Sequence, residues 1–308
     1  MEPIMDETQK KELQGIAGHR MRFQCALAPH TTFKVGGPVD ALYDAETQEE
    51  LRAVLRYLKR ASLPFMTVGL GSNLLVRDGG LDGVVIRLKG DLARIETEKT
   101  PTPCLRVGAG TPIPQLMAFC RESGFSGLEF LAGIPGTVGG AVAMNAGAFG
   151  RETQSRVASV DLLDPMGEIR TRRREDLRFS YRALALEAGL VILRVRLRVR
   201  PEGGRQVGER IAAYLKKRKA SQPLEYPSAG SVFKNPAADY AGRLIERAGL
   251  KGTRIGGAVI SKKHANYIVN TGGATAEDVL ALVRLAQQAV KQASGIALEP
   301  EIRVVGRG

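Results

Sequence analysis

The feature that most constrains this chain is a long uncharged run that is rich in glycine. Residues 130–150, FLAGIPGTVGGAVAMNAGAFG, contain six glycines and Pro135. The run is long enough to cross a bilayer as a helix, and it contains a GxxxG spacing. Glycine and proline both destabilise a helix, however, so that reading is unfavourable. We therefore predict a loop that brings the backbone close to a bound ligand.

Composition narrows the class of protein. A length of 308 residues predicts about two domains, and 44% hydrophobic with 25% charged residues excludes a mainly disordered chain. Cys25, Cys104 and Cys120 form no CxxC pair, and with three histidines they predict neither a disulfide framework nor a metal site. The polar start, residues 1–13, does not resemble a signal peptide. A cytoplasmic protein is expected.

The charge balance predicts an anionic ligand. Lys and Arg outnumber Asp and Glu by 45 to 32, a net charge of +13 that attracts nucleic acid, acidic lipid or a phosphorylated small molecule. Residues 193–200, LRVRLRVR, alternate apolar residues with arginine, and this arginine face is a candidate for nucleic-acid binding. A solvated sheet face is the commoner explanation, and only 5% aromatic residues without tryptophan argue against base stacking. A basic nucleic-acid-binding module stays as an alternative.

Helix and strand patterns alternate along the chain. Thr47 and Glu50 form a capping box before an amphipathic helix that ends before Pro64, and Thr275 with Asp278 caps a final helix. A turn near residues 201–204 (PEGG) predicts a domain boundary. The remaining predicted elements are strands at 65–69, 83–88, 193–200 and 298–306, a two-stranded hairpin at 159–171, and helices at 112–123, 206–220 and 237–248.

Several short segments combine polar groups with glycine, proline or aromatic residues. VGLGSNLL at 68–75 follows a strand, and its free N–H groups suit a pyrophosphate, although it lacks both the GxGxxG and the GK[ST] patterns. The others are RFSYR at 178–182, PSAGSVFKNP at 227–236, KKHANYIVN at 262–270 and LEPEIRVVG at 298–306. Each segment by itself is typical of a turn, a core aromatic or a surface strand.

Taken together and in this order, the segments resemble the UDP-N-acetylenolpyruvoylglucosamine reductase (MurB) family. The resemblance runs from TTFKVGGPVD at residue 31 to the C-terminal PEIRVVG. It implies an α+β protein with a two-subdomain FAD-binding fold of the vanillyl-alcohol-oxidase (PCMH) type, followed by an α+β substrate-binding domain. The implied division is 18–89 for the first FAD-binding subdomain with strand 299–308 returning to it, 90–203 for the second, and 204–298 for the substrate domain.

The resemblance also implies the reaction, which is NADPH-dependent reduction of UDP-N-acetylglucosamine enolpyruvate to UDP-N-acetylmuramate. That product serves peptidoglycan synthesis, and through it cell-wall biogenesis, cell shape and cell division. Hydride passes from reduced flavin to C3 of the enolpyruvyl group, and Ser231 matches the serine that protonates C2. Arg182 and Glu301 match the residues that stabilise the intervening enolate. Only 48 residues lie between Arg182 and Ser231, which indicates the type II subgroup without the extra substrate-covering loop.

Further site residues follow from motif position within the resemblance. The residues implied for noncovalent FAD are Gly69, Leu70, Gly71, Ser72, Asn73, Leu74, Gly133, Ile134, Pro135, Gly136, Thr137, Gly139, Gly140, Asn145 and Gly147. Those implied for the substrate or nicotinamide side are Tyr181, Lys219, Lys234, Asn235, His264 and Asn266. The ligands implied are the UDP-sugar and NADPH, with no metal, no nucleic acid and no membrane, and a monomer is expected.

A second enzyme class also fits the glycine-rich segments. Oxidases of the same flavin-binding superfamily often attach FAD covalently through histidine or cysteine. Neither residue type occurs within 68–75 or 130–150. This absence, with the Ser231 and Glu301 matches, favours the reductase, and a flavin oxidase stays as the alternative.

Overall fold

The computed structural model of the protein describes residues 4–98, 102–237 and 239–308. These residues group into two compact units, and neither unit is continuous in sequence. The first unit contains the residues up to Phe23 together with Asp40–Gly69 and Asp82–Lys217. The second unit contains Gln24–Val39, Leu70–Leu81 and Arg218–Gly308. Each unit has a hydrophobic core of its own, and both mix helices with strands, which confirms the predicted α+β class.

The α-helices are α1 (Glu7–Ala17), α2 (Gln48–Arg60), α3 (Ile113–Ser123), α4 (Val138–Ala143), α5 (Gly204–Ser221), α6 (Ala241–Arg247) and α7 (Ala276–Ser294). The strands are β1 (Met21–Ala26), β2 (Pro38–Ala45), β3 (Phe65–Thr67), β4 (Leu74–Val76), β5 (Leu81–Leu88), β6 (Ile95–Glu98), β7 (Cys104–Gly108), β8 (Phe125–Ser126), β9 (Gly147–Ala148), β10 (Arg151–Glu152), β11 (Val157–Leu163), β12 (Ile169–Arg173), β13 (Phe179–Ser180), β14 (Ala183–Leu184), β15 (Val191–Arg198), β16 (Arg200–Pro201), β17 (Arg254–Ile255), β18 (Ala258–Ile260), β19 (Ile268–Asn270) and β20 (Arg303–Val305).

Two sheets form the frame of the first unit. One has the strand order β1-β2-β5-β3, with β3 parallel to β5. The other has the order β12-β11-β15-β7-β6 and is antiparallel throughout. Tyr43, Leu55 and Ile86 are fully buried beside the first sheet, as are Val160 and Val195 beside the second. This apolar core fixes the loops that carry the predicted site residues of the first unit.

Helix α2 shows how local sequence sets one element. The Thr47 side chain accepts the N–H of Glu50 at 3.3 Å, and the residues at helical spacing after it are buried. The predicted helix and its N-cap are therefore confirmed. In a full capping box the Glu50 carboxylate would also accept the main-chain N–H of Thr47. Here that carboxylate forms an ion pair with Arg20 instead.

Strand β15 carries the alternating arginines. Arg194 donates to the Gln48 side chain at 3.1 Å, and Arg196 pairs with Glu98 at 3.1 Å and Asp161 at 3.4 Å. Both guanidinium groups are thus used within the first unit. The predicted strand is confirmed, whereas its arginine face is not a free nucleic-acid surface over these two residues.

The second unit has a small sheet covered by a long helix. Strands β17, β18 and β19 form an antiparallel sheet, α7 packs against it, and β20 lies parallel to β4. The return of the C-terminal strand to residues 74–76 is therefore observed. Helix α7 has the predicted capping box between Thr275 and Asp278. Two further N–H groups at its start donate to the Asp78 carboxylate, at 2.8 Å from Ala276 and 3.0 Å from Glu277.

We expect Asp78→Ala to lower the free energy of unfolding by about 1–2 kcal/mol. The change removes a charged acceptor from two helix N–H groups at the positive end of α7. Denaturant titration of both proteins measures the effect. Asp91→Ala, at an exposed ion pair with Arg94, is the matched control and changes stability by less than about 0.5 kcal/mol. Equal effects of the two substitutions would contradict this account of the α7 cap.

Several predicted boundaries differ from the structure, most of them by two residues at an end. Helix α6 begins at Ala241, not at 237, because the Asn235 side chain accepts the N–H of Ala241 at 3.1 Å and a turn precedes it. Residue 238 of the predicted helix lies outside the described residues. The final strand is only Arg303–Val305 long. The chain continues past the PEGG turn into α5, and the first unit extends to Lys217; the three-part division of 18–89, 90–203 and 204–298 stays a prediction.

Most of the glycine-rich run forms loops, as predicted from its composition, but residues 138–143 form the short helix α4, which was not predicted. Thr137 caps this helix through the N–H of Gly140. Within the described ranges no helix combines the length and the apolar character that a membrane crossing requires. The same ranges contain no group of three side chains suited to hold a metal ion.

Candidate active site

In the first unit, the glycine-rich segment packs closely on neighbouring backbone. Helix α4 begins after Thr137, whose hydroxyl oxygen accepts the N–H of Gly140 at 3.3 Å. A Cβ atom on Gly139 would lie 2.7 Å from Ala109 Cβ, and one on Gly69 would lie 2.6 Å from the Thr137 hydroxyl oxygen. Both distances are too short for any side chain. These two glycines are therefore needed for packing within the protein.

Other parts of the predicted FAD segments offer hydrogen-bond donors. The main-chain N–H groups of Gly133 and Gly136 in the first unit, and of Leu70, Gly71 and Ser72 in the second, make no hydrogen bond with any described residue. Unpaired N–H groups bind phosphate oxygens well, because they supply partial positive charge without a bulky side chain. Within its own unit, each of these two groups of donors is suited to a phosphate.

Asn145 is an exception among the predicted FAD residues. Its side chain is completely buried and donates to Glu152 at 2.9 Å and to the Ser180 carbonyl at 3.0 Å, while its oxygen accepts the N–H of Gln154 at 3.1 Å. All these bonds are internal to the first unit. Asn145 therefore joins the glycine-rich segment to the hairpin that carries Arg182, and a positioning role fits it better than cofactor contact.

Arg182 occupies the turn between strands β13 and β14. Its φ angle of +58° lies in the left-handed region, which is uncommon for a residue with a side chain. The guanidinium donates to the Gly147 carbonyl at 3.4 Å and lies over the Tyr181 ring, with Cζ 5.1 Å from the ring centroid. Tyr181 is 46% exposed. The hairpin thus presents a fixed cation beside an accessible aromatic ring.

These two residues line an open groove of the first unit with a volume of about 1110 Å³. Gly147 and the hairpin of β9 and β10 form one side of it. A groove of this size accommodates a nucleotide-sized ligand. Arg182 lines this groove with a permanently charged, planar guanidinium, a group suited to a carboxylate or an enolate.

In the second unit, main-chain hydrogen bonds bring the segments of Ser231 and Glu301 together. Ser231 is half-buried and precedes Val232, whose N–H donates to the Asn266 carbonyl at 2.8 Å and whose carbonyl accepts the N–H of Glu301 at 2.7 Å. Asn73 donates from its side chain to the Glu301 carbonyl at 3.1 Å. Residues 73, 231 and 301, which are distant in sequence, therefore lie at one place in this unit.

The Ser231 hydroxyl makes no hydrogen bond to the residues that the structure describes. By contrast, the main chain on its C-terminal side is held from two directions, since Lys234 N–H donates to the Glu299 carbonyl at 2.9 Å. A hydroxyl on such a fixed strand is held in place and still able to meet a ligand atom.

Asn266 fixes the Ser231 segment. Its side-chain oxygen accepts the N–H of Phe233 at 2.9 Å, and its side-chain nitrogen donates to the Phe233 carbonyl at 2.8 Å. The residue is 3% exposed. The amide therefore pairs with the main chain as a strand would, and a positioning role fits Asn266 better than the predicted ligand contact.

His264 is adjacent to Asn266 in the fold. Its Nδ1 atom accepts the N–H of Asn266 at 3.2 Å, and its ring meets the Tyr267 ring edge-on at 5.0 Å. Burial lowers the pKa of His264 below the usual value of a histidine, and the charge of Lys251 lowers it further. The imidazole is therefore neutral at pH 7. It suits aromatic contact or hydrogen bonding to a ligand, not charge pairing with phosphate.

The remaining predicted substrate residues differ in their surroundings. Lys234 pairs with the exposed carboxylate of Glu299, Asn235 caps helix α6 as described above, and Lys219 is exposed on α5. The Lys219 carbonyl accepts a hydrogen bond from Lys263 at 2.6 Å. None of these contacts tests a substrate role, so all three stay predictions.

Sequence reasoning missed one group of residues in the groove. Arg151, Arg156, Arg198 and Arg200 line it together with Arg182. Arg198 and Arg200 were visible only as part of an alternating strand, and nothing in the local sequence connects them with Arg151 or Arg156. The end of β15, the pairing of β16 with β8 and the hairpin of β9 and β10 bring them to one groove.

The sequence matches two protein families. Residues 39–172 match a family described as FAD binding domain. Residues 222–305 match the family described as UDP-N-acetylenolpyruvoylglucosamine reductase, C-terminal domain. The two matches follow each other in the order that the sequence segments predicted.

Similar proteins extend over almost the whole chain. A UDP-N-acetylenolpyruvoylglucosamine reductase of Geotalea uraniireducens is 43% identical over 98% of this chain and 99% of its own length. That of Geobacter metallireducens is 47% identical over 91% and 92%. The crystal structure of UDP-N-acetylenolpyruvylglucosamine reductase (MurB) from Thermus caldophilus superposes with a TM-score of 0.80 at 41% identity, covering 92% of this chain and 99% of that one.

Proposed function

The chain belongs to the UDP-N-acetylenolpyruvoylglucosamine reductase family, and on this premise we propose how its residues carry out the family's reaction. The protein reduces the enolpyruvyl ether of UDP-N-acetylglucosamine to the lactyl ether with NADPH, and yields UDP-N-acetylmuramate for peptidoglycan synthesis. The single observation that carries this conclusion is identity of 43–47% over nearly the full length of both chains.

FAD, when bound, supplies hydride chemistry that no side chain possesses. In the first unit, the unpaired N–H groups of Gly133 and Gly136 are the candidates to hold it. In the second unit, the loop 70–72 has unpaired N–H groups of its own that suit a phosphate. Gly69 and Gly139 allow the backbone around these donors to pack closely. The contribution of the protein is therefore to bind, orient and stabilise charge.

Arg182 stabilises the negative charge that develops when C3 of the substrate gains hydride. That charge is shared by C2 and the adjacent carboxylate, and a guanidinium remains protonated even when water is excluded. Its support in this chain is the contact with Gly147 and the stacking on Tyr181. Tyr181 is proposed to lie against the ligand from its exposed face.

Ser231 donates the proton that C2 requires. A hydroxyl is a weak acid in water, but a carbon enolate is basic enough to take its proton when the geometry is fixed. Asn266 and Val232 supply that geometry through the hydrogen bonds of the Ser231 segment. Glu301, whose main chain is bonded to the same segment, assists by stabilising the enolate.

We further propose that the enzyme is a monomer of the cytoplasm and belongs to the type II subgroup. His264, Lys234, Asn235 and Lys219 are retained as candidates for the UDP-sugar or nicotinamide side. A flavin oxidase is the competing enzyme class, and it differs in using oxygen as the electron acceptor.

The test is NADPH oxidation by the purified, FAD-loaded protein with and without UDP-N-acetylglucosamine enolpyruvate. We expect a yellow protein whose NADPH oxidation requires the substrate and consumes one NADPH per lactyl ether formed. UDP-N-acetylglucosamine, which lacks the enolpyruvyl group, is the control and gives no oxidation. Oxidation that depends on oxygen alone would instead establish the oxidase, and a folded protein that never takes up FAD would refute both.

A further inference from the structure

The groove that contains Arg182 has a strong excess of positive charge. Among its described lining residues, six arginines face one acid, Glu152. Arg182 is assigned to the reacting end of the substrate above. Arg174 is used internally, since it donates to Gln154 and to the Leu177 carbonyl at 3.2 Å. The four other arginines, 151, 156, 198 and 200, are called here the arginine cluster.

The arginine cluster has no carboxylate partner among the described residues. The Glu152 carboxylate accepts from the side chains of Asn145 at 2.9 Å and Gln154 at 2.6 Å. Glu129 is buried nearby, but it pairs with Arg210 at 2.8 Å. Among the described residues neither acid lies within ion-pair distance of a member of the cluster, although the charge of Glu129 acts on Arg156 from further away. All four arginines line the groove.

The like charges of the cluster repel one another. Burial holds the pKa of the Arg156 guanidinium below its usual value, the charges of Arg200 and Arg151 lower it further, and the charge of Glu129 opposes this shift. Repulsion between neighbouring like charges destabilises a fold. Arginines that serve stability alone are therefore expected to form ion pairs with carboxylates.

The arginine cluster and Arg182 line the same groove, and several elements of the first unit bring them there. Arg198 is the last residue of β15 and Arg200 is the first residue of β16. The Arg198 N–H donates to the Arg156 carbonyl at 2.7 Å. A Cβ on Gly127 would lie 3.0 Å from Arg156 Cζ, so glycine leaves room for the guanidinium. Arg151 lies on β10, which pairs with the Gly147 segment that Arg182 contacts.

We propose that the arginine cluster is a subsite for the 2′-phosphate of NADPH, a proposal that rests on the function proposed above. A phosphate monoester carries a charge near −2 at neutral pH and has three oxygens free to accept. Each phosphorus of a diphosphate linkage carries a single charge. Several guanidinium forks match the monoester better, because arginine binds phosphate oxygens in pairs. The cluster would thereby select NADPH over NADH in the groove where Arg182 acts.

The test replaces one accessible member, Arg200→Gln, and then adds Arg156→Gln. We expect KM for NADPH to rise about tenfold or more with each substitution, while KM for NADH and KM for the UDP-sugar substrate stay within about twofold. Arg60→Gln, which removes an exposed arginine of α2 that lies over Tyr57, is the control and leaves all three values unchanged. Equal increases for NADPH, NADH and the UDP-sugar would overturn the proposal in favour of a diphosphate site.

A binding measurement separates this proposal from the proposed function. Calorimetric titration of the FAD-loaded protein with adenosine 2′-monophosphate, and with adenosine as the control, needs no turnover. We expect binding of the monophosphate that Arg200→Gln weakens about tenfold. No binding to the unsubstituted protein, or binding that the substitution leaves unchanged, would overturn the subsite. If the monophosphate binds but no reduction of the substrate occurs, the proposed function fails and the subsite stands. Melting temperatures confirm that the variants are folded.

Discussion

Ser231→Ala is expected to lower kcat by about 10³-fold or more, within or near the range that one general acid contributes, while KM for the UDP-sugar changes by less than about threefold. The reason is local. The Ser231 hydroxyl makes no hydrogen bond to the described residues, so its removal leaves the Asn266 and Glu301 bonds of the neighbouring main chain in place. Only the proton donor is lost.

Two measurements make this expectation specific. Stopped-flow reduction of the bound flavin by NADPH should stay within about twofold of the unsubstituted enzyme, because that step requires no proton at C2. By contrast, kcat for reduction of the UDP-sugar substrate should fall by the factor given above. Ser228→Ala, at a half-buried serine three residues earlier in the same loop, is the matched control and retains activity. Comparable losses at both serines, or a Ser231 variant within threefold of full activity, would exclude Ser231 as the donor.

Arg182→Lys is expected to lower kcat by about 10²–10³-fold, as for loss of one fixed oxyanion donor. Lysine keeps the charge, but it offers a single ammonium group where arginine offers a planar fork. The substitution also removes the stacking of the guanidinium on Tyr181 and its hydrogen bond to the Gly147 carbonyl. The defect should therefore appear in kcat more than in KM for the substrate.

The control for this expectation lies on the same hairpin. Arg178 is exposed and only its carbonyl bonds to the hairpin, accepting the N–H of Ala185 at 3.0 Å, so Arg178→Lys should retain full activity. Steady-state kinetics of both variants, with circular dichroism to confirm folding, decide the matter. A fully active Arg182→Lys enzyme would show that charge alone suffices and would refute the role of the fork.

The sequence predicted helices and strands correctly where neighbouring residues fix them. The Thr47 and Thr275 caps mark the starts of α2 and α7 because a side-chain oxygen satisfies an N–H only three residues away. Alternation identified β15 because one face of the strand is buried. The start of α6 was placed four residues early, since Asn235 caps it through a side chain six residues before Ala241. No periodic pattern reports such a bond.

The sequence by itself determined the order of the motifs, and the resemblance of these motifs to a known family implied the reaction, because a motif is a local pattern of residues that can be read without the fold. Tertiary structure alone decided what several of these residues do. Asn145 and Asn266 proved to hold main chain through buried amides, and four arginines from separate segments proved to share one groove. The physical reason is that hydrogen-bond partners and like-charge neighbours distant in sequence meet only when strand pairing and core packing bring their segments together.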